Sequence, residues 1–303
     1  MASFLTNILE ESVINELPQQ EYSMWMMQNN RYIPHLNAKI HEKVPSGAYK
    51  IEWDDRLYTH VLVPQSGPSD KIIEFEENDI KSIVSEIELF WKSKDLYKKY
   101  NLIHKRGILL QGNPGTGKTM LIHNIVQNVI KNDGIAIYVN TVKELQIVYD
   151  TLGSMVRKIE KDRPVVTVIE DIDQMIDQMQ GSDAFLLDFL DGKNSIDMHL
   201  VIMTTNNSTN LSTALLRPSR IDLKYEIKNP TENMRRKYLE EKGLDPAILE
   251  EVVNKTENFS FAMLKEVFIS LAILNKDLNN TIDAINNPLE NKDYLNDTKT
   301  IGL

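Results

Sequence analysis

Gly112-Asn113-Pro114-Gly115-Thr116-Gly117-Lys118-Thr119 lies between an apolar run, Gly107-Ile108-Leu109-Leu110, and a helix-like run opening at Met120-Leu121-Ile122. The order is strand, glycine-rich loop, helix, as a phosphate-binding loop requires. Glycines at 112, 115 and 117 let the backbone curl so that successive N–H groups point inward. The helix N-terminus behind them adds positive potential. In such a loop Gly112 through Met120 form the cradle. Lys118 reaches the β- and γ-phosphates, and the Thr119 hydroxyl ligates Mg²⁺. Chance matches to this spacing rarely have the strand before and the helix after.

Working outward, the flanking sequence alternates strand-like and helix-like segments. Strands are expected at 107–111, 135–139, 165–170, 199–205 and 222–227, with helices near 118–131, 142–161, 183–191 and 211–216. Alternation of this kind predicts a parallel sheet covered on both faces, an α/β fold. Asn229-Pro230-Thr231-Glu232 resembles a helix start with Asn229 as N-cap. From there to about Lys276 the chain is expected to be helical, a small second domain.

Upstream, Asn78–Lys99 has Ile80, Ile83, Ile87, Phe90, Trp91 and Leu96 on one side and is expected to be one amphipathic helix. Residues 47–63 alternate like a β-hairpin, and Pro64–Ser69 has the composition of a linker. Residues 1–44 are expected to be helical and irregular, with Met24-Trp25-Met26-Met27 as a packing patch. The resulting division is 1–75, an N-terminal α+β region that meets a partner; 76–228, the α/β unit; 229–277, a helical lid; and 278–303, a mobile tail.

Composition sets the frame. The 303 residues are 42% hydrophobic and 26% charged, those of a globular protein with ample core. There is no cysteine, which excludes disulfides and thiolate metal sites and fits a cytoplasmic location. No run approaches 18 apolar residues, and Glu10 and Glu11 follow the N-terminus too soon for a secretory signal. The net charge of −10 argues against a nucleic-acid surface, short of a local basic stripe.

Candidate partners of the phosphate loop follow in order. Val165-Val166-Thr167-Val168-Ile169 ends in Glu170-Asp171-Ile172-Asp173. Carboxylates at the C-terminal end of a central strand lie in the crevice where open α/β sheets bind ligands. One would support the Mg²⁺ shell and the next would orient and polarise the attacking water. Leu200–Thr205 ends in Asn206, an amide able to hydrogen-bond a γ-phosphate. Arg217 and Arg220 then flank a turn with no obvious local carboxylate cluster to serve. Aimed at a neighbouring subunit they would stabilise transition-state charge in trans.

Taken together these motifs resemble the AAA clade of the AAA+ ATPases, over residues 77–275. Arg106–Leu110 leads into the loop, Phe189-Leu190-Asp191-Gly192 is similar to the clade's Leu-Asp-Gly, and Thr204-Thr205-Asn206 and Ala214–Arg220 follow. Phe259–Lys265 is similar to its lid motif. Phe90-Trp91, Tyr97–Leu110 and the Glu170-Asp171 order look most like the ATPases that assemble the mitochondrial cytochrome bc complex and their shorter microbial and viral relatives. The resemblance implies a five-stranded parallel sheet with a helical lid, ATP or ADP between them, and a homo-oligomeric ring of six or seven subunits. By position it makes Lys118 and Thr119 ligands of phosphate and Mg²⁺, Glu170 the metal support and Asp171 the water activator. Asn206 becomes the γ-phosphate sensor, and Arg217 and Arg220 trans-acting arginines.

Four departures matter. The clade's acidic pair runs Asp then Glu, the reverse of Glu170-Asp171. Ser219 stands for a usual Gly and Asn113 for a usual Pro. Phe261 replaces a frequent lid Gly and would alter how closely the lid approaches nucleotide. The nearest candidate for a substrate-threading pore loop, Tyr149-Asp150-Thr151-Leu152-Gly153, fits poorly, because Ile147, Val148 and Leu152 also suit the buried face of one helix. The leading expectation is an Mg²⁺-dependent ATPase that remodels or moves a protein partner. A DNA-handling loader or replication factor and a non-hydrolysing ATP-binding scaffold are the alternatives.

Overall fold

The computed structural model describes residues 22–28, 31–38, 43–65, 78–179, 183–191, 196–207, 209 and 211–287. The chain divides into two compact units, Met1–Val44 and Pro45–Leu303. In the first, β1 (Tyr22–Gln28) pairs antiparallel with β2 (Arg31–Ala38). Residues 22–38 were expected to be helical or irregular, and this corrects that expectation. Met24–Met27 lies on a strand, and aromatic and branched residues on both sides of Asn29-Asn30 suit a pleated ladder.

The second unit opens with β3 (Gly47–Asp54) and β4 (Thr59–Pro64), the expected hairpin. It is followed by α1 (Asn78–Lys92) and α2 (Lys94–Lys99). One continuous helix was expected here. The chain instead breaks at Ser93, whose hydroxyl donates to the Leu89 carbonyl at 2.7 Å. Ile83, Ile87 and Phe90 are buried, whereas Leu96, past the break, is 54% exposed. The alternating region contains β5 (Lys105–Gln111), α3 (Lys118–Lys131) and β6 (Ile135–Val139). Next come α4 (Val142–Thr151), a π-helical turn (Leu152–Val156) and α5 (Arg157–Ile159). Then follow β7 (Val165–Ile169), α6 (Ile172–Gln178), α7 (Ala184–Asp191), β8 (His199–Thr205) and β9 (Leu223–Glu226).

The sheet order is β4-β3-β6-β7-β8-β5-β9, all parallel except β4. The five expected parallel strands are present. The hairpin adds two more through the β3–β6 pairing, giving seven in place of five. β7 and β8 are buried at every position, as strands covered on both faces must be. α3 buries Leu121, Ile122, Ile125, Val126 and Val129 against this sheet.

The lid comprises α8 (Glu232–Lys242), α9 (Pro246–Lys255) and α10 (Phe261–Phe268), prolonged by a π turn at Ile269–Ile273. α11 (Leu278–Asn286) completes it. The N-cap of α8 is Thr231, whose hydroxyl accepts from the Met234 amide, rather than Asn229, which bonds the Asn258 carbonyl. α11 falls where a mobile tail was expected. Its Leu278, Ile282 and Ile285 pack on the lid core, so apolar spacing outweighs the Asn-rich composition there. Residues 211–216 form turns, not the expected helix. The linker residues 66–69, Gly192, residues 1–21 and the tail from 288 lie outside the described residues.

Candidate functional site

Strand register assembles the site. Leu109 of β5 and Ile169 of β7 both stand level with Met203 of β8. Parallel strands in step therefore bring Gly112, Glu170-Asp171 and Asn206, each just past a strand end, to one edge of the sheet. Sequence separation of up to 94 residues is erased by this pairing alone.

The loop itself adopts the conformation that glycine permits. Gly115 and Gly117 have φ of 77° and 103°, and Gly117 is the N-cap of α3. Lys118, buried, donates to the carbonyls of Gly112 (2.8 Å) and Asn113 (3.0 Å) and to Asn206 Oδ1 (2.8 Å). Burial lowers its pKa, while Asp171, Asp173 and Glu170 oppose that shift. Its ammonium is thus partly desolvated and held at the loop mouth. The Thr119 hydroxyl donates to Glu170 Oε2 at 2.8 Å, so the two expected metal-binding groups meet.

Asp171 accepts from Asn206 Nδ2 at 3.1 Å, and its amide donates to Thr204 Oγ1 at 2.9 Å. Lys118, Asn206 and Asp171 consequently form one chain of hydrogen bonds. Asp171 sits at φ 51°, ψ 55°, the left-handed region. Among L residues Asp and Asn enter that region most readily. The short carboxylate at the second position of the reversed acidic pair is thus compatible with its positive φ.

A cleft of about 460 Å³ runs from this cluster to the lid. It is lined by Pro114, Gly115, Lys118, Thr119, Met120, Glu170, Asp171 and Asn206, by Thr204, Ala262 and Lys265 from the sensor-strand and lid motifs, and also by residues the sequence did not flag, His123, Tyr238 and Lys242. His123 lies one helical turn beyond Thr119, and that i,i+4 spacing was a usable signal. Burial lowers the His123 pKa and Glu170 opposes it. Tyr238 and Lys242 of α8 carried no such signal, since only packing brings that helix over the loop. Phe261 is the lid's point of contact: its ring lies 3.0 Å from where a Cβ on Gly117 would be. The Ala262 amide donates to the Gly115 carbonyl at 3.4 Å.

The arginine turn is placed away from this cleft. Arg217 is exposed. Arg220 Nη1 donates to the Ala214 carbonyl at 2.7 Å, and its Nε lies 3.5 Å from Asp191 Oδ2. No carboxylate cluster was expected beside either arginine; tertiary folding of α7 brings a single carboxylate, Asp191, to Arg220. The suggested pore-loop stretch is helical, with Val148 and Leu152 buried and Tyr149 donating to Asp188 Oδ2 at 2.6 Å. The buried-face reading accounts for it.

A phosphate loop between strand and helix, with an acidic strand end and a polar sensor strand alongside, defines a P-loop nucleoside triphosphatase fold. Residues 108–229 match the family described as ATPase family associated with various cellular activities (AAA); the chain carries an AAA ATPase domain and with it a nucleotide site. It is similar to an AAA-ATPase of Arabidopsis thaliana, 32% identical over 58% of this chain and 38% of that protein. It is also similar to an "AAA ATPase forming ring-shaped complexes" of Corynebacterium kroppenstedtii, 28% identical over 57% of this chain and 35% of that one. A third relative is a "probable mitochondrial chaperone bcs1" of Schizosaccharomyces pombe, 27% identical over 68% of this chain and 46% of that one. The chain thus spans less than half the length of these relatives. No helix among the described residues is long and apolar enough to cross a membrane.

Proposed function

We propose that the protein hydrolyses ATP as a homo-oligomeric ring and uses the cycle to remodel or move a protein partner. The observation that carries the reading is the hydrogen-bonded cluster at the loop mouth. It contains a phosphate-directed ammonium (Lys118), a hydroxyl and a carboxylate in contact (Thr119 and Glu170), and a second carboxylate on an amide (Asp171 and Asn206). The first pair suits a hard divalent cation with oxygen ligands. Bound there, Mg²⁺ would offset phosphate charge.

The protein's own groups do the rest. The loop amides and Lys118 hold the triphosphate, Asp171 orients and polarises the attacking water, and Asn206 fixes the geometry between water and γ-phosphate. Among the described residues lining the cleft none is arginine. The turn bearing Arg217 and Arg220 supplies the missing guanidinium to a neighbour's site. A relative named for ring-shaped complexes supports assembly, and one named as a chaperone supports a protein substrate. In the proposed division, residues up to about 75 meet the partner, 76–228 bind and turn over nucleotide, and the helices after 229 close over it.

The test is co-purification of an Asp171→Asn variant held in the ATP state. Retained protein supports the reading. Retained nucleic acid, with ATPase stimulated by DNA and lost steeply in salt, moves the assignment to DNA handling. Absence of phosphate release from the assembled wild-type protein would leave a scaffold that only binds.

A further inference from the structure

The two arginines of the 217–220 turn differ in their surroundings, and the difference assigns them different work. Arg217 is exposed at the start of the turn. Arg220 is turned inward, its side chain 21% exposed. Arg220 Nη1 donates to the Ala214 carbonyl, and its Nε faces Asp191 Oδ2 at 3.5 Å, a charge contact rather than a hydrogen bond. Asp191 holds the turn a second time, since its Oδ1 accepts from the Ser219 hydroxyl at 3.2 Å.

The turn is also pinned to the sheet. Asp222 Oδ1 accepts from the Ser219 amide and Oδ2 from the Gly107 amide, both at 2.9 Å, and the Asp222 amide donates to the Gly107 carbonyl. The Arg220 carbonyl sits so close to Gly107 that an added Cβ there would lie 1.8 Å from it. Ser219 is held at φ 75°, a left-handed conformation that a free serine avoids, so the surrounding contacts over-determine the turn. Backbone and side chain alike commit Arg220 to its own subunit.

We propose that Arg217 alone is delivered to the neighbouring subunit's γ-phosphate, and that Asp191 and Arg220 are positioning residues that hold the turn carrying it. This rests on the trans-acting reading of the turn given above. Arg220 swinging outward would abandon the Ala214 and Asp191 contacts and loosen the segment that aims Arg217. Arg217, exposed and with no side-chain bond among the described residues, can reach outward with no such loss. Because β5 carries the phosphate loop at one end and Gly107 in its middle, the same strand that feels one subunit's nucleotide sets the arginine offered to the next.

The experiment uses full-length protein with assembly checked by sedimentation, measuring kcat and KM for ATP. The variants are Arg217→Ala, Arg220→Ala, Arg220→Lys, Asp191→Ala and the double Asp191→Ala/Arg220→Ala. Arg217→Ala is expected to lower kcat by about 10³-fold or more with little change in KM. Arg220→Ala and Asp191→Ala should each lower kcat by about 10- to 100-fold, as a misaimed group does. The double variant should be no worse than the worse single, since the pair acts as one unit. Arg220→Lys should lose less than Arg220→Ala. Mixing Asp191→Ala subunits with Lys118→Ala subunits, whose arginine turn is intact, should restore turnover.

Wild-type kcat in Asp191→Ala, together with a loss in Arg220→Ala as deep as that in Arg217→Ala, would overturn the assignment and make Arg220 a reaching group. Loss of assembly in both Asp191→Ala and Arg220→Lys would overturn it in favour of a structural role. Normal turnover in assembled Arg217→Ala would instead sink the trans-acting reading beneath it.

Discussion

Replacing Asp171 with Glu tests whether backbone conformation dictates the reversed acidic pair. Asp171 occupies φ 51°, ψ 55°, accepts from Asn206 Nδ2 at 3.1 Å and donates its amide to Thr204 Oγ1. Glu lacks the short side chain that eases a left-handed residue, so the substitution should cost on the order of 1 kcal/mol. For a chain of this size that is a fall of about 2 °C in Tm. The added methylene moves the carboxylate by about 1.5 Å. A displacement of roughly 1 Å at a reacting group can cost about 10²-fold in rate. Asp171→Glu should therefore lower kcat by about two orders of magnitude while leaving the Kd for ADP within a few-fold, because no loop donor is touched. Phosphate release under saturating ATP, calorimetric titration of ADP and a thermal melt read the three quantities. A variant as stable as the parent and as fast or faster would refute the reasoning: the left-handed backbone would then not explain the acid order.

Other expectations follow from the same geometry. Lys118→Ala removes an ammonium bonded to Gly112, Asn113 and Asn206, and should abolish measurable ATP binding in titration calorimetry while the far-UV spectrum stays unchanged. Phe261→Ala empties a position 7% exposed that packs on Tyr238 and the loop, with a cost of about 3–5 kcal/mol expected of large-to-small changes, so amide exchange should rise first in the lid helices. His199, wholly buried and paired with the Thr167 hydroxyl at 2.8 Å, is held at about 3 by burial, with Arg157 and Lys105 adding to it. Its folded value lies below that of the unfolded chain, about 6.5, so the unfolded state takes up the proton first. Its contribution is therefore complete above about pH 6.5 and declines by about 1.4 kcal/mol per pH unit below it. Denaturant melts from pH 7 to 5 should show this slope, and His199→Gln should flatten it.

The phosphate loop, the five parallel strands and the groups at 118, 119, 170, 171 and 206 were legible because each is a local pattern. A strand that is buried on both faces has to be apolar throughout, and a loop that turns its amides inward has to be rich in glycine. The hairpin at 47–64 was equally legible, but its pairing with β6 was not, because hydrogen bonding between distant strands leaves no mark on either one. The break at Ser93, the strand nature of Met24–Met27 and the helix at 278–286 were misjudged where composition and periodicity disagreed.

What the chain's order of residues determined, then, was the chemistry available at the phosphate loop, the strand ends and the turn before β9: an ammonium, a hydroxyl, two carboxylates, an amide and two guanidiniums. Tertiary structure alone decided which of them meet. Register brought Glu170 to Thr119 and Asn206 between Lys118 and Asp171, and packing put the lid's Phe261 against Gly117. Folding also brought Asp191 to Arg220 while leaving Arg217 outside. The physical reason is that residue type is fixed locally, whereas the distance between two side chains depends on every strand and helix that lies between them.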